Sequence, residues 1–419
     1  MSHRNVSWPL LALGLSGCLS PQVQVSSGGA LPPDAAVPDA EVQAPAPPAI
    51  AEPDMALPPD AQVPQFGGGF DEESDTAAHA YPEPSARCVP YLRSDVLRPR
   101  AGRVQVGPND PWREAITTAE SDTEVVLNPG RYDVEETPLS VPAGVTVRGL
   151  TGTSTDISII GSVRMEGAES VLADVSVRRG QVGITLSPQA HNTLLWRVQT
   201  VDHARSHIFS DGSVAGVEVM CGEITTSYRG VEPSEAAIDL RGGTEWLLSD
   251  NFIYALDGVG MRFGGAGARQ NVVARNAMIE VTHPVVVWPD HVSLMLQNNF
   301  ILRRASGGPG LLATSSRSVR MLHNTVRVAE APAVHFDGIT EGVLLNNFFN
   351  SEPSTENSPS YTYSGNLFDA EDADFESPNS YHLVEGDRAI GVGISLTEID
   401  QDIEGDTRWE RFDVGCDQR

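Results

Sequence analysis

The sequence predicts an all-β solenoid, a coil of parallel strands with about ten turns, and two observations lead to this fold class. The first is a set of asparagines, each followed by a mostly apolar pair, at separations of 25, 23, 25, 23 and 19 residues. The second is that short runs rich in β-branched residues lie before and after each asparagine, with Gly, Pro, Asn and Asp between them. Alternation with a period of two residues marks strands, and residues 140–370 show no long helical period. The asparagines are Asn251, Asn276, Asn299, Asn324, Asn347 and Asn366.

These asparagines are predicted to form a buried ladder at one corner of the coil. Equivalent positions in successive turns stack about 4.8 Å apart, so each side-chain amide can bond to the next. Asparagine also tolerates the left-handed backbone region that a tight corner requires. Extended backward, the same register meets Gly222, Arg197, Asp174 and Gly149. We assign no chemistry to the ladder.

The N-terminus has the features of an export signal. Arg4 provides a short positive region, residues 8–15 form an apolar run too short to span a bilayer, and "LSGC" ends at Cys18. "LSGC" resembles the lipobox of bacterial lipoproteins, which implies removal of residues 1–17 and lipidation of Cys18. In such lipoproteins an aspartate directly after the lipidated cysteine retains the protein at the inner membrane. This chain has Leu19 at that position, which favours the outer membrane. An ordinary secretory signal with an unrelated cysteine is the alternative.

Residues 18–87 are predicted to be a disordered tether, because they are acidic and rich in Pro and Ala. Residues 19–87 hold 13 of the 30 prolines and eleven Asp or Glu against the single Arg87. The segment 350–419 is also acidic, so only about −6 of the net charge of −28 belongs to 88–349. The chain has no basic stripe, which excludes a nucleic-acid partner. It also has no lysine, which excludes a lysine base or Schiff base.

Three cysteines follow Cys18, namely Cys88, Cys221 and Cys416. An exported protein can form disulfides, but three cysteines cannot all pair within one chain. Cys88 and Cys416 flank the predicted domain, and a bridge between them requires the C-terminal tail to fold back. The pairing stays open at this point. No CxxC motif or Cys/His cluster indicates zinc.

Three stretches resemble parts of the pectin-lyase-like, right-handed parallel β-helix superfamily. "DTEVVLNPGRYDVEETPLSVPAGVTVRG" at 122–149 resembles its first turns, and "WREAI" from Trp112 resembles its short N-terminal capping helix. "IDQDIEGDTRWERFDVGC" at 399–416 resembles the D-x-D-G-x-x-R…D-I-G-A closing segment of many exported members. The resemblance implies an N-terminal cap at 88–121, a parallel β-helix at 122–370 and an acidic closing segment at 371–419. It does not imply one activity, since the superfamily contains lyases, glycoside hydrolases, esterases and adhesins.

The candidate site follows from which side chains face outward. If Ile238 and Leu240 face the core, Asp239 and Arg241 face solvent. The same register along the coil yields two outward rows. The first row is Thr185, Phe209, Asp239, Arg262, Val286, Leu312 and His335, and the second is Ser187, Asp211, Arg241, Gly264, Trp288, Thr314 and Asp337; His203, Tyr228, Asp257 and His283 lie just ahead of the same strands.

These rows predict a polysaccharide-binding groove along the coil. Trp288 would stack on a sugar ring, with Arg241 and Arg262 holding hydroxyls or uronate carboxylates. Substrate contacts would also come from His203, Tyr228, Asp257 and His283. Asp211 and Asp239 are candidates for the acid and base of a glycoside hydrolase, and Arg241 and Arg262 for a lyase reaction. The alternative is a solvated face with cross-turn ion pairs, on a non-catalytic structural or adhesive scaffold.

No metal site or cofactor is assigned from the sequence, and calcium stays an alternative. "Asp400-x-Asp402-x-Glu404-Gly405" imitates the opening of a calcium loop, but Arg411 stands at its twelfth position, which excludes an EF-hand. His191, His291 and His323 are predicted to serve at the surface or at corners, not as metal ligands. The sequence thus predicts an exported, lipid-anchored monomer whose partner is a polysaccharide, held to the membrane only by its lipid.

Overall fold

The structure is a computed structural model, and it describes Cys88, Leu97 and most of the chain from residue 99 onward. The described ranges are 99–134, 136–225, 236–265, 267–358, 360–377, 380–396, 399–408 and 412–418. They belong to a compact unit that spans 75–419. The predicted signal, Cys18, the whole tether and Tyr228 lie outside the described residues, as does the side chain of Asp211.

The strands stack in parallel into three columns, as an all-β parallel solenoid of about ten turns requires. The first column is a sheet with twelve described strands. Its strands are Gly102–Val106, Thr123–Leu127, Thr146–Gly149, Val171–Ala173, Leu194–Trp196, Glu218–Met220, Leu247–Ser249, Asn271–Ala274, Ser293–Gln297, Ser318–Leu322, Glu341–Leu345 and Tyr361–Ser364.

The other two columns form one sheet, because the long strands Phe252–Gly264 and Ala277–Val287 run through both. The second column also contains Gly130–Asp133, Ile157–Ile160, Ser176–Arg178, Gln199–Val201, Glu223–Thr225, Phe300–Arg303, Thr325–Val328 and Phe348–Phe349. The third also contains Leu139–Val141, Val163–Met165, Val182–Leu186, Ser206–Asp211, Ala236–Arg241, Leu311–Thr314, Val334–Asp337 and Ser354–Glu356.

The core lies inside the three columns and is built from stacked aliphatic side chains. Ile238 pairs in register with Ile208 on one side and Met261 on the other, and all three are buried. Burying one such side chain contributes about 1.5–3 kcal/mol. Leu240 is buried in the same way, two residues further along the strand. The predicted alternation of inward and outward side chains is therefore confirmed in the third column.

The asparagine ladder is confirmed. Nδ2 of each asparagine from Asn251 to Asn347 donates to Oδ1 of the next one, at 2.8–3.0 Å, and the last acceptor is Asn366. The backbone N–H of each donor residue reaches the same Oδ1. The ladder thus satisfies buried polar groups that would otherwise be destabilising.

The left-handed conformation, however, belongs to the residue before each ladder asparagine, so that part of the prediction is wrong. For the first five ladder asparagines these bend residues have φ between 53° and 58°, and they are Asp250, Arg275, Asn298, His323 and Asn346. Gly365, before Asn366, has φ of 64°, and Cys221, before Gly222, is a bend residue of the same kind with φ of 56°. The backward register is right at Gly222, whose N–H donates to Oδ1 of Asn251. From Arg197 backward it is wrong by one residue, because Trp196 pairs with Met220 and Arg197 is therefore level with Cys221. Arg197 and Asp174 have φ of 55° and 52°, so they are bend residues themselves.

A single α-helix, Trp112–Thr117, is present among the described residues, in the place predicted for the cap. Trp112 and Ile116 enter the core, and the Trp112 ring meets Tyr132 edge to face at 5.2 Å. The strand Gly102–Val106 precedes this helix and pairs with Thr123–Leu127, so the coil starts within 88–121. Short 3-10 helices lie at Ser154–Asp156 and Asp372–Asp374. Within the described ranges, no helix is long and apolar enough to cross a membrane.

Cys88 forms a disulfide with Cys221, with the Cα atoms 5.5 Å apart. A bridge between Cys88 and Cys416 is therefore wrong, and Cys416 is a free, buried thiol. The reason is that Cys221 is a bend residue, and Cys88 reaches the coil at that bend. Burial raises the pKa of the Cys416 thiol to about 12, which makes it unreactive.

The closing segment packs against the outward face of the second column. Ile279, Phe300 and Leu302 meet Tyr381, Ile403 and Cys416 in one apolar cluster. Buried Arg408 binds this segment together, since its Nη2 donates to the carbonyls of Gly415 and Cys416 and to Oδ1 of Asn298 at 3.0–3.1 Å. The bend residues His323 and Asn346 also bond to the segment.

Candidate functional site

The structure confirms the predicted register of both outward rows on the third column. In the first row Phe209 pairs with Asp239, and Asp239 pairs with Arg262. In the second row Arg241 pairs with the backbone of Asp211 on one side and with Gly264 on the other. These rows bring together a group that we call the arginine–tryptophan patch, which consists of Phe209, Asp239, Arg241, Arg262 and Trp288.

Asp239 is the centre of the arginine–tryptophan patch, and it is 0% exposed. Its Oδ1 accepts a hydrogen bond from Nε of Arg262 at 2.9 Å, and its Oδ2 contacts Nη2 of the same guanidinium. Nη2 of Arg241 donates to Oδ2 at 3.0 Å. The cross-turn ion pair of the alternative interpretation is therefore present, but its members Asp239 and Arg262 are buried and not solvated.

Trp288 lies over this ion pair. Its ring is centred 4.3 Å from the guanidinium carbon of Arg262, while 44% of the residue stays exposed. A cation under the ring holds it by a cation–π interaction. Gly264 makes room for the ring, since a Cβ there would lie 2.9 Å from Cβ of Trp288. The result is a partly exposed aromatic surface that is supported from below.

The arrangement favours holding a ligand over transferring a proton. Both oxygens of Asp239 accept hydrogen bonds from guanidinium groups, so neither is free to face a ligand. A carboxylate held in this way positions Arg241 and Arg262. Arg241 is the more exposed of the two arginines, and its guanidinium lies 5.1 Å from the Phe209 ring. The sequence placed Phe209 in the first outward row but assigned it no role. Its contact with Arg241 joins two turns of the coil, so only the structure shows it.

His203 is placed away from this surface, in a buried corner. Its Nδ1 accepts the N–H of Gly180 and its Nε2 donates to the carbonyl of Val177, both at 3.0 Å. Burial lowers the pKa of His203 to about 4, so the ring is neutral. With both ring nitrogens bonded to the backbone, His203 supports the corner and presents no free nitrogen to a ligand.

Asp257 and His283 form a separate group at the corner between the second and third columns. Asp257 is exposed, and His283 is partly buried, with its pKa lowered by burial and by nearby Arg303. Five residues of extended strand separate Asp257 from Arg262, which corresponds to about 16 Å. The structure therefore does not bring these two residues to Trp288. Arg303, buried beside a glycine-rich loop, was missed, and its only sequence signal is the run "SGGPG" that follows.

A cavity of about 500 Å³ lies elsewhere, at the N-terminal cap, and is lined in part by Asp110, Arg113, Glu114 and Asp133. Three of its seven lining residues are acidic and one is basic. It contains none of the predicted site residues, so it does not correspond to the groove expected along the third column.

Comparison with solved structures shows the fold. A pectate lyase, Pel9A, superposes with a TM-score of 0.56 at 10% sequence identity, covering 76% of this chain and 97% of that chain. The A-module of the mannuronan C-5 epimerase AlgE6 from Azotobacter vinelandii has a TM-score of 0.36 at 16% identity, covering 62% and 93%. A mutant of the periplasmic alginate epimerase AlgG has a TM-score of 0.35 at 10% identity, covering 64% and 84%.

A scan against protein-family models found no match, and a search of curated proteins found none either. At 10% identity the likeness to the pectate lyase concerns the fold alone. The described part of the chain therefore has the right-handed parallel β-helix fold that the pectin-lyase-like resemblance predicted.

Proposed function

We propose that this protein is an exported, lipid-anchored polysaccharide-binding protein, and that the arginine–tryptophan patch is its binding surface. The observation that carries the proposal is the exposed indole of Trp288, supported from below by the buried Arg262–Asp239 pair. An aromatic ring fixed in this way loses little conformational entropy when a sugar stacks on it.

The charge of the arginine–tryptophan patch indicates the class of sugar. Two arginines face one aspartate, so the patch is positive by one charge, although the protein as a whole carries −28. Guanidinium groups bind carboxylates through paired hydrogen bonds. Arg241 is partly exposed and lies in the same row as Trp288. An acidic polysaccharide therefore fits the patch better than a neutral one.

Cleavage of the bound chain, by a lyase or hydrolase reaction, is the finer form of the proposal. The pectate lyase with the same fold supports action on a polysaccharide. The occupied oxygens of Asp239 favour binding without cleavage at this patch. The rival from another class is a structural or adhesive scaffold, in which the coil serves as a spacer and binds no glycan.

Binding is tested by titrating the purified domain with acidic and neutral polysaccharides in affinity gels and by calorimetry. We expect Trp288→Ala to weaken binding of an acidic polymer at least tenfold and Arg241→Ala to weaken it severalfold. Tyr363→Ala is the matched control, because Tyr363 is 57% exposed and lies on the last strand of the first column. Equal binding by the Trp288→Ala protein, or no binding to any polymer, would overturn the proposal and favour the scaffold.

Cleavage and export are followed in separate assays. Unsaturated products are measured by ultraviolet absorbance and new reducing ends by a colorimetric assay, so that a lyase and a hydrolase are distinguished. Export with a lipid anchor predicts that cells incorporate labelled palmitate into the protein and that Cys18→Ser removes the label. Label retained after that substitution would contradict the anchor.

A further inference from the structure

Three carboxylates of the closing segment converge outside the patch just described. Asp402, Glu404 and Asp406 alternate along the chain, and one oxygen from each lies within 4.8 Å of the others. Two ligands at 2.3–2.6 Å from a calcium ion are at most about 5 Å apart, so this spacing fits one ion. The calcium-loop pattern in the sequence starts at Asp400. The three carboxylates that converge in the structure start two residues later, at Asp402.

A second observation concerns the state of Asp402. The residue is 0% exposed, and its Oδ1 accepts the N–H groups of Glu404 at 3.0 Å and Asp406 at 2.8 Å. Its Oδ2 is also buried, and within the described residues it has no hydrogen-bond partner. A buried carboxylate oxygen without a partner is destabilising, and a bound cation would remove that cost.

The neighbouring cations do not supply that partner. Nη2 of Arg408 donates to the carbonyls of Gly415 and Cys416 and to Oδ1 of Asn298. Within the described residues this guanidinium forms no ion pair with the three carboxylates of the cluster. His382 lies between Glu404 and Asp417, at 3.6 Å from an oxygen of each. This histidine forms a neighbouring ion-pair group that shares only Glu404 with the three carboxylates.

We propose that Asp402, Glu404 and Asp406 bind a calcium ion that holds the closing segment in its folded conformation against the second column. Three carboxylate ligands on a short loop, with oxygens as donors, match the preference of calcium for hard oxygen ligands. The site is independent of polysaccharide binding.

Tyr381 provides a direct probe of this site. Its hydroxyl donates to Oε1 of Glu404 at 3.1 Å, so an ion bound by Glu404 lies within a few ångströms of the phenol. Terbium replaces calcium at oxygen sites and emits when a nearby tyrosine is excited. We expect saturable terbium emission from the full-length protein, displacement of terbium by calcium, and severalfold weaker emission in Tyr381→Phe.

The decisive variant is Asp402→Asn, which keeps the Oδ1 acceptor for the two N–H groups and removes the charge. It should lower terbium and calcium affinity at least tenfold, whereas Asp400→Asn, at an exposed acidic residue of the same loop, should not. Calcium should raise the resistance of the closing segment to proteolysis in the unmodified protein and in Asp400→Asn. It should have no such effect in Asp402→Asn.

Three outcomes would overturn the proposal. Terbium emission could be unchanged by Asp402→Asn, or calcium could fail to displace terbium. In the third outcome zinc displaces terbium and calcium does not, and terbium emission is lost in His382→Ala. The last outcome would place a metal at the neighbouring histidine group instead. If Asp402→Asn fails to fold, calorimetric calcium titration of Glu404→Gln and Asp406→Asn provides the same comparison.

Discussion

Nε of Arg262 donates to Oδ1 of Asp239 at 2.9 Å, and the same guanidinium supports the indole of Trp288 at 4.3 Å. One arginine thus links a fully buried carboxylate to an exposed ring. The strength of the buried pair determines how firmly the ring is held, so changes at Asp239 should affect both stability and binding.

Asp239→Asn should destabilise the protein by about 3–5 kcal/mol, because it leaves the buried guanidinium of Arg262 without its counter-charge. Urea unfolding followed by circular dichroism measures the change. Asp337→Asn is the control, since Asp337 lies in the second outward row and is partly exposed. Equal unfolding midpoints for the two variants would show that the pair contributes little.

Asn299→Ala should destabilise the protein by about 3 kcal/mol or more, since it leaves several buried groups without partners. Nδ2 of Asn299 donates to the carbonyl of Val273 and to Asn324, and Oδ1 accepts two bonds from Asn276. The control is Asn366→Ala at the end of the ladder, where the loss should be smaller because the residue is partly exposed. A comparable loss in both variants would show that burial does not determine how much a ladder asparagine contributes.

Replacing Cys88 and Cys221 together by serine should lower the free energy of unfolding by about 2–5 kcal/mol, as expected for a disulfide closing a long loop. The bridge joins residues 133 positions apart. Thermal unfolding with and without reductant measures the effect. Reductant should shift the unmodified protein and leave the double variant unchanged; a shift in both would assign the effect to another group.

Acid should destabilise the protein through its buried histidines. His203 has a folded pKa of about 4 against 6.5 unfolded, so above pH 6.5 both states are neutral and its contribution does not vary. Between pH 6.5 and 4 the unfolded state alone takes up the proton, and stability falls. At pH 5 the loss from His203 is about 2 kcal/mol.

His291, with a pKa lowered to about 4, and His323, lowered to about 3, act in the same direction. The slope of the unfolding free energy against pH reports how many more protons the unfolded state binds than the folded state. Between pH 5 and 6 this difference should be smaller by about one proton in His203→Gln than in the unmodified protein. An unchanged slope would show that His203 is protonated in the folded protein.

Much of the fold could be predicted because period-two alternation and a regular turn length constrain each position separately. Asn276, Asn299 and Asn324 form the ladder as expected, and Phe209, Asp239 and Arg262 follow one another in register. The bend residues were missed because a left-handed φ carries no strict residue requirement here: a cysteine, two arginines and a histidine adopt it as well as Asn and Asp.

The amino-acid sequence was enough to establish the parallel coil, its inward and outward faces and the placement of Trp288 beside the arginines, because these follow from local periodicity. Folding of the whole chain settled the pairing of Cys88 with Cys221, the burial of Asp239 and the path of the closing segment over the second column. Those features depend on which distant segments meet at a bend or cover a face, and no local pattern of residues encodes such contacts.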